Sequence, residues 1–305
     1  EQGNIIANLE RTILQGSFVL LGAIILFSAF FATTSSRRMR KILTSMRMVR
    51  EGEYSHKIQM RGSDEFATLA TEFNKLTDRL QESEAQQRQF VSDASHELKT
   101  PLQGIIGSAE LLESGMVKEE DVPRFVGHIR DEAQRLVTLI GDIIRLSQLD
   151  EGVDVPREPV DLLAVANEAA HDLQGAAEAR KVTLTVDGER AQIVGARRLL
   201  YEIVYNLCEN AVKYNREGGS VSVHVAQSDS WVSVCVADTG IGIAPEHQSR
   251  IFERFYRVDK SHSKASGGTG LGLSIVKHAV AYHHGMIDLQ SEPGKGTTIT
   301  VTFPK

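Results

Sequence analysis

The sequence predicts a multidomain protein: a transmembrane helix, a helical coiled coil, a helical hairpin that forms a dimeric four-helix bundle, and an α/β two-layer sandwich. Three observations lead to this prediction. An uncharged apolar run lies near the N-terminus, apolar residues recur three and four apart along the middle of the chain, and helical and strand-like patterns alternate after residue 161.

The composition is that of an ordinary globular protein. With 305 residues, 41% of them hydrophobic and 24% charged, the chain is long enough for two or three domains and is not disordered as a whole. The net charge of -6 argues against a nucleic-acid partner, because phosphate backbones bind basic faces. Cys208 and Cys235 have no CxxC spacing, so they favour neither a disulfide scaffold nor a cysteine zinc site.

Residues 13–34 are predicted to form a transmembrane helix. They carry no charge and as a helix can cross the ~30 Å of a hydrocarbon core. A buried core helix would be shorter, and a signal peptide would have a basic leading segment and a small-residue cleavage site. Basic residues within 37–41, against Arg11 before the span, predict that everything from residue 37 onward is cytoplasmic, with membrane lipid as a partner. Since the chain begins at Glu1 and not at Met, we expect it to be the C-terminal part of a longer protein.

The next segment has the seam of a coiled coil. Its apolar residues lie alternately three and four positions apart, which is the pattern that packs one helix against another. We therefore expect a partner helix along Phe66, Leu69, Phe73, Leu76 and Leu80.

A helical hairpin follows. The stretch up to Gly115 and the stretch after Pro123 are both amphipathic, and the apolar stripe of the second helix is too wide for one neighbour to cover. Dimerisation into a four-helix bundle would bury the remainder. Pro156 and Pro159 mark residues 150–161 as a linker to the next domain.

From residue 161 the pattern changes to helices followed by strands. Because most neighbouring strands are joined by short turns, the sheet is expected to be mostly antiparallel, with the helices packed on it as a second layer. The predicted helices are 161–180, 197–214 and 271–284, and the predicted strands lie at 182–186, 192–195, "SVSVHV", "WVSVCVA", "MIDLQ" and "TTITVTF".

The stretch "FVSDASHELKTPLQGIIG" contains a candidate phosphoacceptor, His96. Most helical histidines are solvated or satisfied side chains, and Glu97 and Lys99 also fit a solvated charged face. However, Thr100 lies on the same helix face at i+4, and Glu97 can take a proton from one ring nitrogen while the other acts as nucleophile. Pro101 cannot donate to the Glu97 carbonyl, which predicts a kink beside the histidine.

Three motifs of the last domain predict a nucleotide site. Asn206 and Asn210 lie at i and i+4, where two amide oxygens can bind Mg²⁺ without adding negative charge beside a polyphosphate. In "DTGIGI", Asp238 follows a strand, and Gly240 and Gly242 allow close backbone approach. "GGTGLGL" opens the last long helix, whose N-terminus favours phosphate. These glycines form neither a Walker loop nor a Rossmann fingerprint.

Five stretches together, "SHELKTPL", "NLCENAVKY", "DTGIGI", "FERFYR" and "GTGLGLSIVK", resemble the H, N, G1, F and G2 boxes of the sensor histidine kinases of two-component systems. Residues 37–80 resemble a HAMP linker at Asp64, Glu65 and the Phe73-Asn74 pair, but lack the proline usual near the start of its first helix. The implied domains are a HAMP linker and signalling helix at 35–88, a dimerisation and histidine phosphotransfer domain at 89–152, and a catalytic ATP-binding domain of the GHKL (Bergerat) fold at 153–305.

This resemblance implies a homodimer in the bacterial inner (cytoplasmic) membrane with its catalytic part in the cytoplasm. Such a protein uses ATP and Mg²⁺ to phosphorylate its own histidine, and then transfers the phosphoryl group to an aspartate of a response regulator. Here His96 is the implied phosphoacceptor and Glu97 its orienting base. Thr100 matches the residue that positions water in members that also dephosphorylate their partner.

The resemblance also implies roles for the residues of the ATP-binding domain. Asn206 and Asn210 would bind Mg²⁺ and phosphate, Lys213 and Tyr214 would flank the nucleotide, and Asp238 would accept a hydrogen bond from the adenine amino group. Residues 245–270 would form a lid anchored by Phe252, Phe255 and Tyr256, which core packing explains equally well. Asn215 stands where the family usually has Ser or Thr. The pocket and lid would be shaped by Gly240, Gly242, Gly268, Thr269, Gly270, Leu271 and Gly272.

Three alternatives remain open at this stage. An ATPase of the gyrase, Hsp90 and MutL superfamily shares the fold but has a water-activating glutamate where this chain has Asn206, and an amide cannot take a proton. A non-catalytic membrane scaffold would have lost chemical residues from its motifs, whereas all five motifs keep theirs. A third alternative keeps the fold and makes dephosphorylation of the partner, through Thr100, the main activity.

Overall fold

The computed structural model describes residues 2–60, 62, 64–150, 155–258 and 268–305. It divides into two compact units, Glu1–Val91 and Ser92–Lys305, which are described separately below.

The first unit is built from two long helices. Helix α1 covers Gln2–Arg50 and helix α2 covers Glu65–Glu113, so α2 continues into the second unit. One part of α1, beginning at Ile13, is long and apolar enough to cross a membrane. Its large side chains are not covered by protein, since Phe18, Leu26 and Phe27 are each at least 70% exposed, as is expected of a surface that faces lipid.

An asparagine of α2 fixes the connection between α1 and α2 through two hydrogen bonds to its backbone. Asn74 Oδ1 accepts a hydrogen bond from Ile58 N at 2.9 Å, and Asn74 Nδ2 donates to Ile58 O at 3.0 Å. A single amide therefore satisfies both backbone groups of an extended residue. Ile58 itself is buried in a small core with Ile42, Ala70, Met60, Phe66 and Phe73.

Only part of the predicted coiled-coil seam is covered within one chain. Phe66 and Phe73 pack on that small core, whereas Leu69, Leu76 and Leu80 stay exposed. An exposed row of leucines at this spacing is the surface that a second helix would bury.

In the second unit, α2 and helix α3 (Val122–Asp150) form the predicted hairpin, with a 3₁₀ turn at Glu119–Asp121 between them. Helix α2 runs without a break through Pro101, so the proline does not end the helix beside His96. The Thr100 hydroxyl donates to the His96 carbonyl at 3.2 Å. It therefore adds a hydrogen bond in the turn where proline removes one.

The remainder of the second unit is the predicted α/β two-layer sandwich. Five strands pair in the order β2-β4-β5-β7-β6, with β2 parallel to β4 and the other neighbours antiparallel. The elements are β1 (Glu158–Asp161), α4 (Leu162–Ala179), β2 (Thr183–Gly188), β3 (Gln192–Gly195), α5 (Arg197–Lys213), β4 (Ser220–Gln227), β5 (Trp231–Asp238), α6 (Pro245–Gln248), α7 (Gly272–Tyr282), β6 (Met286–Glu292) and β7 (Gly296–Pro304).

One strand was not expected. The predicted linker at 150–161 ends in β1, which pairs antiparallel with β3 through Glu158 opposite Gly195 and Asp161 opposite Gln192. No pattern in the sequence predicts this strand, because it has only four residues and contains Pro159, which removes one donor from the ladder.

The core lies between the five-stranded sheet and helices α4, α5 and α7. Alternate valines of the neighbouring strands β4 and β5 point into this core and are almost fully buried, as the period-two pattern of a strand requires. Each such side chain contributes roughly 1.5–3 kcal/mol relative to an exposed one. This layer fixes α5 and α7 side by side through Val221, Val223, Val225, Val232, Val234, Val236, Leu207, Val276 and Val280.

A buried histidine joins the end of α7 to the start of α5. His283 Nε2 accepts a hydrogen bond from Ala196 N at 3.0 Å, and Nδ1 donates to Ala279 O at 2.7 Å. A side chain on Gly195 would collide with the ring, since an ideal Cβ there lies 2.8 Å from the ring's Cδ2 atom. One acceptor and one donor nitrogen define a neutral imidazole, and burial lowers the pKa of His283 from its ordinary value of 6.5.

We therefore expect His283 to make the sandwich less stable in acid. Above pH 6.5 the ring is neutral in both states and its full contribution is present. As the pH falls below that value, the unfolded chain binds a proton that the folded protein resists, so the free energy of unfolding decreases. Urea unfolding followed by the fluorescence of Trp231, the one tryptophan, measures this change between about pH 8 and pH 5.

The variant His283→Gln should show a smaller loss of stability in acid than the native protein. His224→Gln is the matched control, because the His224 side chain is 58% exposed. Equal pH slopes in the native protein and His283→Gln would contradict this assignment.

Candidate active site

The first predicted site residue lies where α5 meets the N-terminus of α7. Asn206 Nδ2 donates to the Glu202 carbonyl at 2.8 Å, which fixes the orientation of the amide. Its Oδ1 faces Gly272, since an ideal Cβ on that glycine would lie 2.6 Å away. Only glycine leaves room here for an amide oxygen beside the first residue of α7. Asn210, one turn further along α5, is half-buried.

The loop before α7 lies against Lys213 of α5 and against Phe255. A side chain on Gly268 would collide with Lys213 Nζ. Gly270 has φ +75°, and its carbonyl accepts a hydrogen bond from Phe255 N at 2.9 Å. Leu271 is fully buried and holds the loop on the core. Burial, reinforced by nearby arginines, lowers the pKa of Lys213, whereas Glu209 opposes this shift.

Asp238 occupies the last position of β5. Its Oδ1 accepts hydrogen bonds from Gly240 N at 2.8 Å and Thr297 N at 3.2 Å. Burial raises the pKa of this carboxyl group, and the two amides lower it. Because both amides use Oδ1, the carboxylate is held rigidly while Oδ2 can accept a further donor.

The turn after Asp238 is built from backbone in close contact. An ideal Cβ on Gly240 would lie 2.5 Å from the Tyr214 carbonyl, and one on Gly242 would overlap the Glu292 carbonyl. Gly242 also has φ +67°, which L-residues rarely adopt. Ile241 N donates to Tyr214 O at 3.1 Å, so this turn and the end of α5 are joined. The Tyr214 side chain is 42% exposed at the edge.

The hairpin of α2 and α3 carries the predicted phosphoacceptor. His96 and Thr100 are exposed on α2, and Glu97 is half-buried. Glu97 is near enough to Arg257 of the ATP-binding domain for its charge to raise the pKa of that guanidinium. Arg257 Nη2 lies 3.6 Å from an ideal Cβ on Gly268, which places this side chain beside the glycine loop.

Arg257 was missed by the sequence reasoning. It is the last residue of "FERFYR", and only the aromatic residues of that motif received a role. A cation shortly before a glycine-rich loop was the signal that could have found it. Burial, together with nearby Arg135 of α3, lowers the pKa of Arg257, and Glu97 opposes that shift. Arginine nevertheless stays charged under all ordinary conditions.

The predicted lid anchors, Phe252, Phe255 and Tyr256, are half-buried and do not belong to the main core. Phe255 has φ +60° and is held by its hydrogen bond to Gly270. The Tyr256 hydroxyl lies 2.8 Å from His247 Nδ1. Residues 259–267 of the predicted lid lie outside the described part of the chain.

Three family models match the chain. Residues 30–82 match the HAMP domain, residues 86–152 match the His Kinase A (phospho-acceptor) domain, and residues 195–305 match the histidine kinase-, DNA gyrase B- and HSP90-like ATPase.

The chain is also similar to proteins that are named as sensor histidine kinases. The chain is 31% identical to the sensor histidine kinase YkoH of Bacillus subtilis, over 97% of this chain and 67% of YkoH. It is 40% identical to the sensor-like histidine kinase SenX3 of Mycolicibacterium smegmatis, over 73% of this chain and 58% of SenX3. The chain thus spans little more than half the length of SenX3. Among solved structures, the chain is similar to full-length ShkA, crystallised in complex with AMPPNP. The match has a TM-score of 0.54 and 28% sequence identity, and it covers 71% of this chain and 45% of ShkA.

The variant Gly242→Ala tests the close packing of the turn after Asp238. A left-handed residue other than glycine costs roughly 1–2 kcal/mol, and here the new methyl group would also overlap the Glu292 carbonyl. We expect a larger loss of unfolding free energy in urea than for Gly294→Ala, together with weaker binding of ADP. Gly294 is the matched control, because it has φ +80° but no atom within 4 Å of its Cβ position. Equal losses in the two variants would contradict the predicted collision.

Proposed function

We propose, since this chain belongs to the sensor histidine kinases, that it uses ATP to phosphorylate its own His96 and then passes the phosphoryl group to an aspartate of a response regulator. The observation that supports this most directly is the position of Arg257. Its guanidinium lies beside the glycine loop of the ATP-binding domain, and it is near enough to Glu97, the neighbour of His96, for that carboxylate to oppose the lowering of its pKa.

The nucleotide is expected to lie between Asp238 and the N-terminus of α7. Asp238 Oδ2 would accept a hydrogen bond from the adenine amino group, since Oδ1 is already used by two amides. The phosphates would lie at the loop formed by Gly268, Gly270 and Gly272, where backbone amides and the helix dipole favour negative charge. The related ShkA has been crystallised in complex with AMPPNP, which supports the binding of an adenine nucleotide by this fold.

The pocket residues fit Mg²⁺ as well. Asn206 directs its Oδ1 toward the start of α7, and Asn210 lies one turn further along the same helix. Amide oxygens are ligands that this hard cation accepts. When bound, Mg²⁺ would neutralise part of the phosphate charge and orient the triphosphate.

The remaining chemistry belongs to His96, Glu97 and the nearby cations. Glu97 holds the proton on one ring nitrogen, so the other nitrogen keeps its lone pair and attacks the γ-phosphorus. A nitrogen–phosphorus bond forms while the bond to the β,γ-bridging oxygen breaks, and ADP leaves. Lys213 and Arg257, which both lie close to Gly268, stabilise the charge that develops on the phosphoryl oxygens.

Asn206 explains why bound ATP would phosphorylate the histidine and would not be hydrolysed by water. A glutamate at this position could remove a proton from water, whereas an amide cannot. This disfavours the ATPase alternative, and the completeness of the five motifs disfavours the scaffold alternative.

A second copy of the chain would complete the helical bundle. Apolar side chains on α2 and α3 stay about half exposed within one chain, and a face of this width is buried when two hairpins form a four-helix bundle. The residues are Leu102, Ile106, Val126, Val137, Ile140 and Ile144.

The same exposed region of α2 would receive the response regulator, because a phosphoryl group on His96 is accessible to solvent there. The Thr100 hydroxyl is exposed and donates only to the His96 carbonyl among the described residues. By rotating, it can position a water molecule against a phosphoaspartate of that partner, which is the proposed phosphatase activity.

The apolar helix and the HAMP domain indicate a membrane-anchored kinase. We place it in the bacterial inner membrane with the sandwich in the cytoplasm, because Arg37, Arg38, Arg40 and Lys41 follow the span directly and such basic flanks stay on the cytoplasmic side.

Incubation with Mg²⁺ and γ-labelled ATP tests the proposed function. The native chain should acquire label that is lost in acid and kept in alkali, because a phosphorylated histidine has that stability. His96→Gln should abolish the label. His128→Gln, which changes another half-exposed histidine of the same hairpin, should keep it. Label that persists in His96→Gln would contradict the assignment, and absence of label in a native chain that binds ADP would favour the scaffold.

Asp238→Asn tests the adenine contact. The amide that replaces the carboxylate loses the negative charge that strengthens the hydrogen bond from the adenine amino group, so ADP affinity should fall about tenfold or more. Calorimetric titration with ADP and Mg²⁺ measures this change. Asp187→Asn, at an exposed position of β2, is the control. An affinity unchanged in Asp238→Asn would show that the adenine binds elsewhere.

A further inference from the structure

Two carboxylates of α3 hold this helix against the ATP-binding domain. Asp142 Oδ2 accepts a hydrogen bond from Thr269 Oγ1 at 2.8 Å. Two turns further along α3, both oxygens of Asp150 accept from Arg254 at 2.7 Å, and Asp150 Oδ1 lies 3.4 Å from His278 Nε2 on α7. We call these the docking contacts.

The first docking contact leads directly to the N-terminus of α7. The Thr269 hydroxyl, which donates to Asp142, also accepts a hydrogen bond from Leu271 N at 3.3 Å. Leu271 immediately precedes α7 and has no side-chain cap. A helix N-terminus attracts an anion, and here a carboxylate of another helix lies one hydroxyl away from it. Nucleotide phosphates are expected at this same end.

The docked arrangement leaves one buried carboxylate oxygen without a hydrogen-bond partner. Arg145 of α3 lies 3.8 Å from Asp142 and 3.4 Å from Glu202 of α5. Glu202 Oε1 is also paired with Arg198 at 3.2 Å, whereas Glu202 Oε2 is buried without a hydrogen-bond partner among the described residues, which lowers the net stability of the arrangement. Burial also raises the pKa of Asp142, while Thr269 and Arg145 oppose that shift. Burial of the Asp142 carboxylate therefore offsets part of the stability that its hydrogen bond to Thr269 provides.

We propose that docking of α3 is an autoinhibitory state in which Asp142 competes with the nucleotide phosphates for the N-terminus of α7. The inference rests on the proposed function, because it assigns the phosphates to that end of the helix. Nucleotide binding displaces Asp142 from Thr269 and so weakens the docking contacts. By linkage, a movement of α3 that breaks the contacts raises nucleotide affinity by the same factor. A signal that moves α3 would thereby control loading of ATP.

The test is calorimetric titration of the full chain, in detergent, with ADP and Mg²⁺. Asp142→Ala removes the competing anion and should tighten ADP binding about tenfold, which corresponds to the loss of one charge-assisted hydrogen bond. Asp150→Ala weakens docking but leaves the Asp142 carboxylate in place, and should also tighten binding, by a smaller factor. Asp131→Ala is the control on the same helix, because the Asp131 side chain is 71% exposed and pairs with neighbouring Arg130.

Each outcome decides the proposal. Unchanged or weaker ADP binding by Asp142→Ala would overturn it. Tightening by Asp142→Ala alone, with Asp150→Ala unchanged, would overturn it as well, because the effect would then be one of local charge without undocking. If Asp142→Ala fails to fold, Asp142→Asn replaces it, since the amide keeps the hydrogen-bond acceptor and loses the charge. A native chain that binds no ADP would instead contradict the proposed function.

Discussion

The site depends on one packing constraint, the contact between α5 and α7 on the same face of the sheet. Asn206 Oδ1 lies so close to Gly272 that a single Cβ there would fill the space between them. The buried valines of β4 and β5 keep both helices in place, and His283 joins the end of one helix to the start of the other. The amide that we propose to bind Mg²⁺ and the helix end that we propose to bind phosphate are thereby fixed side by side.

The two ends of the proposed nucleotide site differ in rigidity. At the adenine end, Asp238 is held by amides of its own turn and of β7, and Gly242 packs against backbone, so this end is preorganised. At the phosphate end, the loop around Thr269 is held by contacts with α3. Recognition of the base would therefore not change with the position of α3, whereas phosphate binding would.

Most of the fold could be predicted from the sequence because its signals are local. The apolar span, the period-two valines and the glycine motifs each lie within a few neighbouring residues. The missed features depend on distant pairs. Thr269 and Asp142 are 127 residues apart, and the interaction of Arg257 with Glu97 also joins two domains. Strand β1 forms only because β3 is beside it.

The central claim is that ATP lies between Asp238 and the N-terminus of α7, with its γ-phosphate directed toward His96. A crystal structure of the chain with Mg²⁺ and a non-hydrolysable ATP analogue tests it most directly. The account predicts the adenine amino group on Asp238, the cation on Asn206 and Asn210, and the phosphates at the start of α7 in place of the contact between Thr269 and Asp142. An adenine bound away from Asp238, or phosphates bound while that contact stays intact, would contradict it.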